Sequence, residues 1–217
     1  MKIHAESIVV RGKYGEALPS TTLQVQDGEV LAAAAQTPLA RTSLALVLGG
    51  RMTPTTGTVT VDGKVKPSRL RRSVALVDVP GVSSPEDSMP LREAVAEELS
   101  LSGKRSSGRA ASAWLAARDA ADHERTHCES LPPRLRIRLF TDLAAHRPGA
   151  RALVLDSPDR LGCEPSDWHQ IARHWASRGL AVVVIVPPAV ASLVSAPVTV
   201  AGTSPEPFAV LGRTSEE

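Results

Sequence analysis

An arginine and a threonine, Arg41-Thr42, stand where one apolar run gives way to a short polar break and then to another apolar run, LAAAAQTPLARTSLALVLGG over residues 31–50. The first run reads as a buried strand and the second as a helix. At such a junction the first N–H groups of the helix have no partner and its dipole favours negative charge, so phosphate binds there. The pattern built for this is G-x-x-x-x-G-K-[ST]: glycines let the backbone wrap the anion, the ammonium reaches it and the hydroxyl holds a divalent cation. Here the pattern covers Ala35, Gln36, Thr37, Pro38, Leu39, Ala40, Arg41 and Thr42, with Ser43 behind. Both glycines are alanine, the lysine is arginine, and Pro38 has no N–H to offer. The frame of a phosphate site is present, while most of its donors are gone.

A carboxylate for such a site would come from Asp156, which closes the apolar run 152–155 and precedes Ser157 and Pro158. An acid there can hold a metal shell or simply start a helix, and both readings stand. Tyr14, in the turn 11–15, is either a stacking platform or a plain turn aromatic. His123 and His127 lie one helical turn apart beside Cys128, but a trio without supporting partners reads as accidental rather than as a metal centre. Arg134, Arg136 and Arg138 read as solvated charges on a helix rather than a nucleic-acid patch.

The elements that must position these residues follow from periodicity and punctuation. Residues 3–10 and 21–26 read as strands. Asp27-Gly28 is a two-residue hairpin signal that would pair the second strand with a third at 29–35. The helix expected at 42–48 stops at Gly49-Gly50. Short strands follow at 58–62 and 73–79. A helical section opens at Ser88-Met-Pro90, with Ser88 as the expected N-cap. It continues with helices at 109–121 and 135–145, separated at Pro132-Pro133. Beyond it come a strand at 152–155, a helix at 165–177 carrying Trp168, Ile171 and Trp175, and a continuous apolar strand at 180–186, the mark of burial on both faces. A last strand is expected at 198–201, and the polar tail 214–217 is expected to fray.

Composition narrows the classes. A chain of 217 residues with 42% hydrophobic content can build a real core, as one α/β domain or a core plus a subdomain. A net charge of +2 provides no strong steering toward nucleic acid. Two distant cysteines without metal-ligand spacing point to a reducing compartment and no disulfide. The N-terminus lacks a signal-peptide pattern, and the longest apolar run is far too short to span a bilayer, so a soluble chain is expected.

The order of these segments resembles the nucleotide-binding domain of an ATP-binding cassette (ABC) ATPase over roughly residues 3–201. Lys13-Tyr14-Gly15 resembles the segment whose aromatic stacks on adenine, and LQVQDGEV at 23–30 the hairpin before the P-loop. TPTTGTVTVDG at 53–63 matches the family's P-T-x-G-x-V-x-x-D-G closely and is the most specific piece. Residues 89–96 resemble the start of the helical subdomain, and LVLDSP at 153–158 the Walker B strand, usually L-L-L-D-E-P. The resemblance implies an α/β, P-loop NTPase-like core with an N-terminal antiparallel β region. It also implies a helical subdomain insert near residues 88–148, all within one ABC ATPase-like domain over 1–217.

It also implies roles, most of them unfilled. Ala35, Pro38 and Ala40 replace three usual glycines. Thr42 and Asp156 could still hold Mg²⁺. Ser157 stands where the family's catalytic glutamate polarises water, Pro187 where its switch histidine follows a strand, and Asp78-Val79 where its glutamine follows residues 73–77. Leu131-Pro-Pro-Arg-Leu135 is the nearest match to the L-S-G-G-Q signature, with two donors removed. No catalytic residue is therefore expected, and ATP and Mg²⁺ would be cofactors only if the loop still binds them. The implied role is a non-hydrolysing subunit of a transporter-like complex. Its partner is a membrane permease subunit, a second ABC ATPase subunit, or a second copy as a homodimer. The implied location is the cytoplasm, free or held at the inner membrane face through a partner. A hydrolysing transporter subunit and a soluble interaction scaffold on the same fold are the alternatives. Abundant alanine, and arginine in large excess over lysine, point to a high-GC bacterial source.

Overall fold

The computed structural model describes residues 1–202, so the tail 214–217 lies outside the described residues. Strands β1 (Lys2–Gly12), β2 (Gly15–Gln26) and β4 (Thr56–Val61) form an antiparallel sheet in the order β2-β1-β4. A second sheet is parallel. It holds β3 (Val30–Ala34), β5 (Val74–Val77), β6 (Ala152–Asp156), β7 (Ala181–Val186) and β8 (Val198–Val200), ordered β5-β6-β7-β3-β8. Among the described residues, no helix is long and apolar enough to cross a membrane.

One expected pairing is corrected. Asp27-Gly28 makes no hairpin: β2 and β3 belong to different sheets. The amide of Gly28 donates instead to Leu180 O and that of Val182 to Glu29 O, so the chain crosses from one sheet to the other at this point. β3 has four fully buried residues and no polar face to give to solvent, so it belongs between parallel partners. The strand ending at Asp156 lies in the same parallel sheet as β3, with β7 between them.

Apolar residues alternate onto two cores. Ala75, Val77, Leu153, Leu155, Val182, Val184 and Val186 face one side. Leu31, Ala33, Val74, Leu76, Val154, Val183 and Ile185 face the other. Helix α1 (Pro38–Leu48) fills the second core, its Leu44, Ala45 and Leu48 buried between the parallel sheet and the inner face of the antiparallel one. A helix missed in the sequence, α2 (Pro67–Ser73), joins β4 to β5. Its interior is three arginines, two serines and one leucine, too short and too polar to show an apolar period.

The first core is capped by the section between β5 and β6. It comprises α3 (Leu91–Leu101), α4 (Gly108–Ala116) and α5 (Pro133–Ala145). Pro90, not Ser88, is the N-cap of α3, and α4 ends five residues earlier than the pattern at 109–121 implies. Helix α6 (Pro165–Ala176) buries Trp168, Ile171 and Trp175 in the same core, as their spacing predicts.

One glycine explains why the segment 53–63 is so specific. β1 bulges after Glu6, where Ser7 takes φ 46° and the register with β4 shifts. Gly57 lies against that bulge at φ 78°, and a Cβ there would come within 2.4 Å of the Glu6 and Ser7 carbonyl oxygens. No other residue fits.

Candidate functional site

Three residues, Ala35, Gln36 and Thr37, are all that separate β3 from α1. The sequence pattern starts the helix at Thr42; it begins at Pro38. Proline at the first helical position gives up only an N–H that has no helical partner, and its φ is already helical. Thr37 caps the turn, its Oγ1 accepting from Ala40 N at 3.1 Å, and Arg41 N donates to Thr37 O. None of residues 35–40 takes a positive φ. The alternation of left- and right-handed backbone that gathers successive N–H groups into a concave anion site is therefore missing.

The Arg41 side chain turns back over this short loop. Its Nη1 donates to the carbonyls of Ala35 and Gln36, both at 3.1 Å, and its Nε to Ser157 Oγ at 2.7 Å. Only 8% of the residue is exposed. The Ser157 hydroxyl in turn donates to Asp156 Oδ1 at 2.8 Å, and Thr42 Oγ1 donates to Asp156 Oδ2 at 2.8 Å. The result is a hydrogen-bonded chain, Arg41–Ser157–Asp156–Thr42, in which Ser157 links the guanidinium to the carboxylate and each oxygen of that carboxylate accepts from one hydroxyl. Ser157 is held at φ 53°, a strained left-handed conformation for a residue with a Cβ, while its N–H donates to Ile185 O. That strain aims its hydroxyl between Arg41 and Asp156.

Of the sequence-predicted residues, Ala35, Gln36, Arg41, Thr42, Asp156 and Ser157 thus meet in one network. Ala40 and Ser43 are buried behind it, and Leu39 projects to solvent. Asp156 ends β6 and starts no helix. Tyr14 is 92% exposed at the β1–β2 turn, its ring partnered among the described residues by Lys13 Nζ at 5.2 Å. Pro187 follows β7 and precedes the short helix α7 (Pro188–Ala191). Pro132 and Pro133 are the N-cap and first residue of α5, so the helix starts two residues earlier than the pattern at 135–145 implies and takes in the second half of Leu131–Leu135.

The sequence reading missed one acid, and gave a second only as the occupant of the glutamine position. Asp159, in the turn Pro158–Leu161, has a buried Oδ1 with no hydrogen-bond partner. Burial raises its carboxyl above the ordinary aspartate value, the nearby charge of Asp156 adds to that, and Arg41 and Arg160 only partly offset it. Nothing local in the sequence marks it.

The second, Asp78, is 2% exposed at the end of β5. It receives Arg136 Nε and Nη2 at 2.9 and 3.0 Å, Arg160 Nη2 at 3.0 Å and Ser84 Oγ at 2.6 Å. Burial alone would raise its carboxyl, but the hydrogen bonds and charge of Arg136, with Ser84 and Arg160, hold it below the ordinary value. Arg136 is therefore corrected from a solvated charge to a buried one, 2% exposed, whose Nη1 also donates to Cys128 O. The signal was available: Arg136 lies one turn before Phe140 and two before Leu143, on the buried stripe of α5. This ion cluster ties the helical section to the end of β5 and to the turn after Asp156.

A parallel sheet with a helix rising from the first of its strands, an acid ending a second strand, an antiparallel sheet packed alongside and helices inserted before that acid define a class. The chain has the α/β, P-loop NTPase-like fold of ABC ATP-binding subunits. It resembles an ATP-binding ABC transporter protein from Pyrococcus furiosus with a TM-score of 0.62 and 16% identity, over 86% of this chain and 92% of that one. It resembles a nucleotide-free ATP-binding cassette from an ABC transporter at 0.61 and 17%, over 89% and 84%. For cbiO1 from Clostridium perfringens, described as part of the ABC transporter complex cbiONQ, the values are 0.60 and 17%, over 85% and 77%. No family model and no curated protein matches the sequence.

Proposed function

We propose that this chain is a degenerate ABC-type nucleotide-binding domain, one ABC ATPase-like unit with its helical insert near residues 88–148, that acts through partners and does not hydrolyse ATP. The observation that carries this is the position of Arg41. Its guanidinium is spent on the loop carbonyls and on Ser157, in the place where a phosphate-binding lysine would face outward. A triphosphate would find a proline, a capped amide and a guanidinium already hydrogen-bonded inward where it needs N–H donors and charge. The residues present do not fit ATP, and no catalytic step is derived through it.

Hydrolysis would meet further gaps. Water attack on a γ-phosphate needs a residue that orients the water and groups that stabilise charge on the transferring phosphoryl. Ser157 supplies no carboxylate and Pro187 no imidazole. A general base alone contributes roughly a hundred- to ten-thousand-fold in rate. cbiO1 is described as part of a transporter complex. By analogy, this chain would sit at the inner face of the cell membrane, bound to a permease subunit, a second ABC ATPase subunit or both.

One contact favours the hydrolysing alternative. Thr42 and Asp156, the pair that holds Mg²⁺ in P-loop NTPases, still meet at 2.8 Å. Phosphate release by the purified chain, beside Asp156→Asn and Ser157→Glu, separates the two. We expect all three at background. Robust wild-type turnover that Asp156→Asn eliminates would put the ATPase reading first.

A further inference from the structure

A groove of about 330 Å³ runs between α5 and α6, away from the Arg41–Asp156 network. Its floor is apolar, made by Leu139, Ile171 and the ring of Trp175. Its rim carries three guanidiniums, those of Arg118, Arg134 and Arg138. Two carboxylates answer two of them: Asp142 pairs with Arg118 Nε, and Asp167 with Arg134 at 2.7 Å. Arg138 has none. Its Nη2 donates to the Arg118 carbonyl at 2.8 Å, which fixes the side chain without neutralising it. Arg138 is half-buried, and among the described residues it makes no ion pair. Arg178, just past the end of α6, lies 5.7 Å from the Trp175 ring and bonds to His174 at 2.8 Å, adding positive charge beside the groove.

A partly desolvated cation held in place beside an apolar floor is unfavourable until an anion meets it. A guanidinium whose remaining donors form a fork is best met by a planar carboxylate. The floor asks for an aliphatic or aromatic neighbour on the same ligand. We propose that this groove docks an acidic segment of a partner protein, with a glutamate or aspartate on Arg138 and an adjacent apolar side chain over Ile171 and Trp175. The occupant is a peptide because the site demands a carboxylate and an apolar group at side-chain spacing, whereas a free anion would satisfy only the first demand. The inference rests on reading the chain as a subunit that acts through partners. It does not involve the Arg41 network, so its failure and that of the nucleotide reading are separately visible.

The test uses the full chain without nucleotide and a short fluorescein-labelled peptide carrying two glutamates between leucines, read by fluorescence polarisation. Its counterpart has both glutamates replaced by glutamine. The expected result is saturable binding of the glutamate peptide, weakened about tenfold or more by Arg138→Gln, since a charge-assisted hydrogen bond contributes roughly 1.5–3 kcal/mol. Gln170→Glu changes an exposed rim residue, whose Oε1 accepts from Arg134 at 2.8 Å, and adds a negative charge to those of Asp142 and Asp167 at the groove. It should weaken binding while leaving the circular dichroism and melting temperature of the fold in place, and so covers the case in which Arg138→Gln fails to fold. Equal binding of the two peptides, or binding that neither variant changes, overturns the proposal. So does failure of the glutamate peptide to bind; capture of vesicles of phosphatidylglycerol and phosphatidylcholine through Arg138 would then assign the groove to a lipid surface.

Discussion

Replacing Asp78 by alanine removes the one carboxylate that faces two arginines at the centre of the molecule. Arg136 is left 2% exposed with a full charge and no buried carboxylate: its remaining acceptors are the Cys128 carbonyl and Ser84 Oγ, and the exposed Asp87 carboxylate stands 3.9 Å away. Breaking a buried pair from one side costs about 3–5 kcal/mol, because the remaining charge is uncompensated. For a domain of this size each kcal/mol moves the melting temperature about 2–4 °C, so Asp78→Ala should lower it by about 6–20 °C. Arg136→Met should cost less, since Arg160 and Ser84 still face the carboxylate. Asp78→Ala with Arg136→Met should recover much of the loss, because no lone buried charge remains. Acid tests the same cluster. The Asp78 carboxyl titrates below its ordinary value of 3.8 in the fold, so its contribution is complete above that value and disappears as pH falls through the folded-state value. The gap in melting temperature between wild type and Asp78→Asn, followed by calorimetry from neutral pH downward, should therefore close only below about pH 4. A shift under about 2 °C for Asp78→Ala at neutral pH, or a double variant no more stable than Asp78→Ala, would refute the reasoning.

Gly57→Ala should destabilise the chain by more than the usual ~1 kcal/mol glycine effect, since the new Cβ meets two carbonyls at 2.4 Å; urea denaturation reads it, and an unchanged midpoint would contradict the bulge geometry. Cys128 and Cys163 are buried and burial pushes both thiols up to about 11, so neither should react with a thiol reagent at pH 8 until the chain is unfolded; mass spectrometry counts the labels in each state.

The parallel strands were legible because burial on both faces leaves an unbroken apolar run, as in AVVVIV at β7. The region of the site was legible too, since loop, acid and serine fall at familiar places along the chain. Three things were not. Asp27-Gly28 carries the local chemistry of a hairpin, and only the long-range bonds to Leu180 and Val182 decide otherwise. The start of α1 was placed by a glycine-loop pattern, whereas Pro38 and Thr37 form a helix N-terminus of their own; read for capping rather than for phosphate, TPLA gives the observed start. The partner of Arg136 lies 58 residues away, so its position on an apolar stripe could reveal burial but not the ion pair.

Titration calorimetry with Mg·ATP tests the central claim most directly. Binding requires the Arg41 hydrogen bonds to Ser157, Ala35 and Gln36 to be given up, and one or two charge-assisted bonds at roughly 1.5–3 kcal/mol each would weaken affinity by about a hundredfold even if the donors missing from the loop did not matter. We predict no saturable heat at micromolar nucleotide for wild type, and none for Arg41→Lys, because Pro38 and the capped Ala40 amide remain. Micromolar binding by the wild-type chain that Arg41→Ala abolishes would contradict the account, since it would mean that Arg41 leaves its partners to hold phosphate.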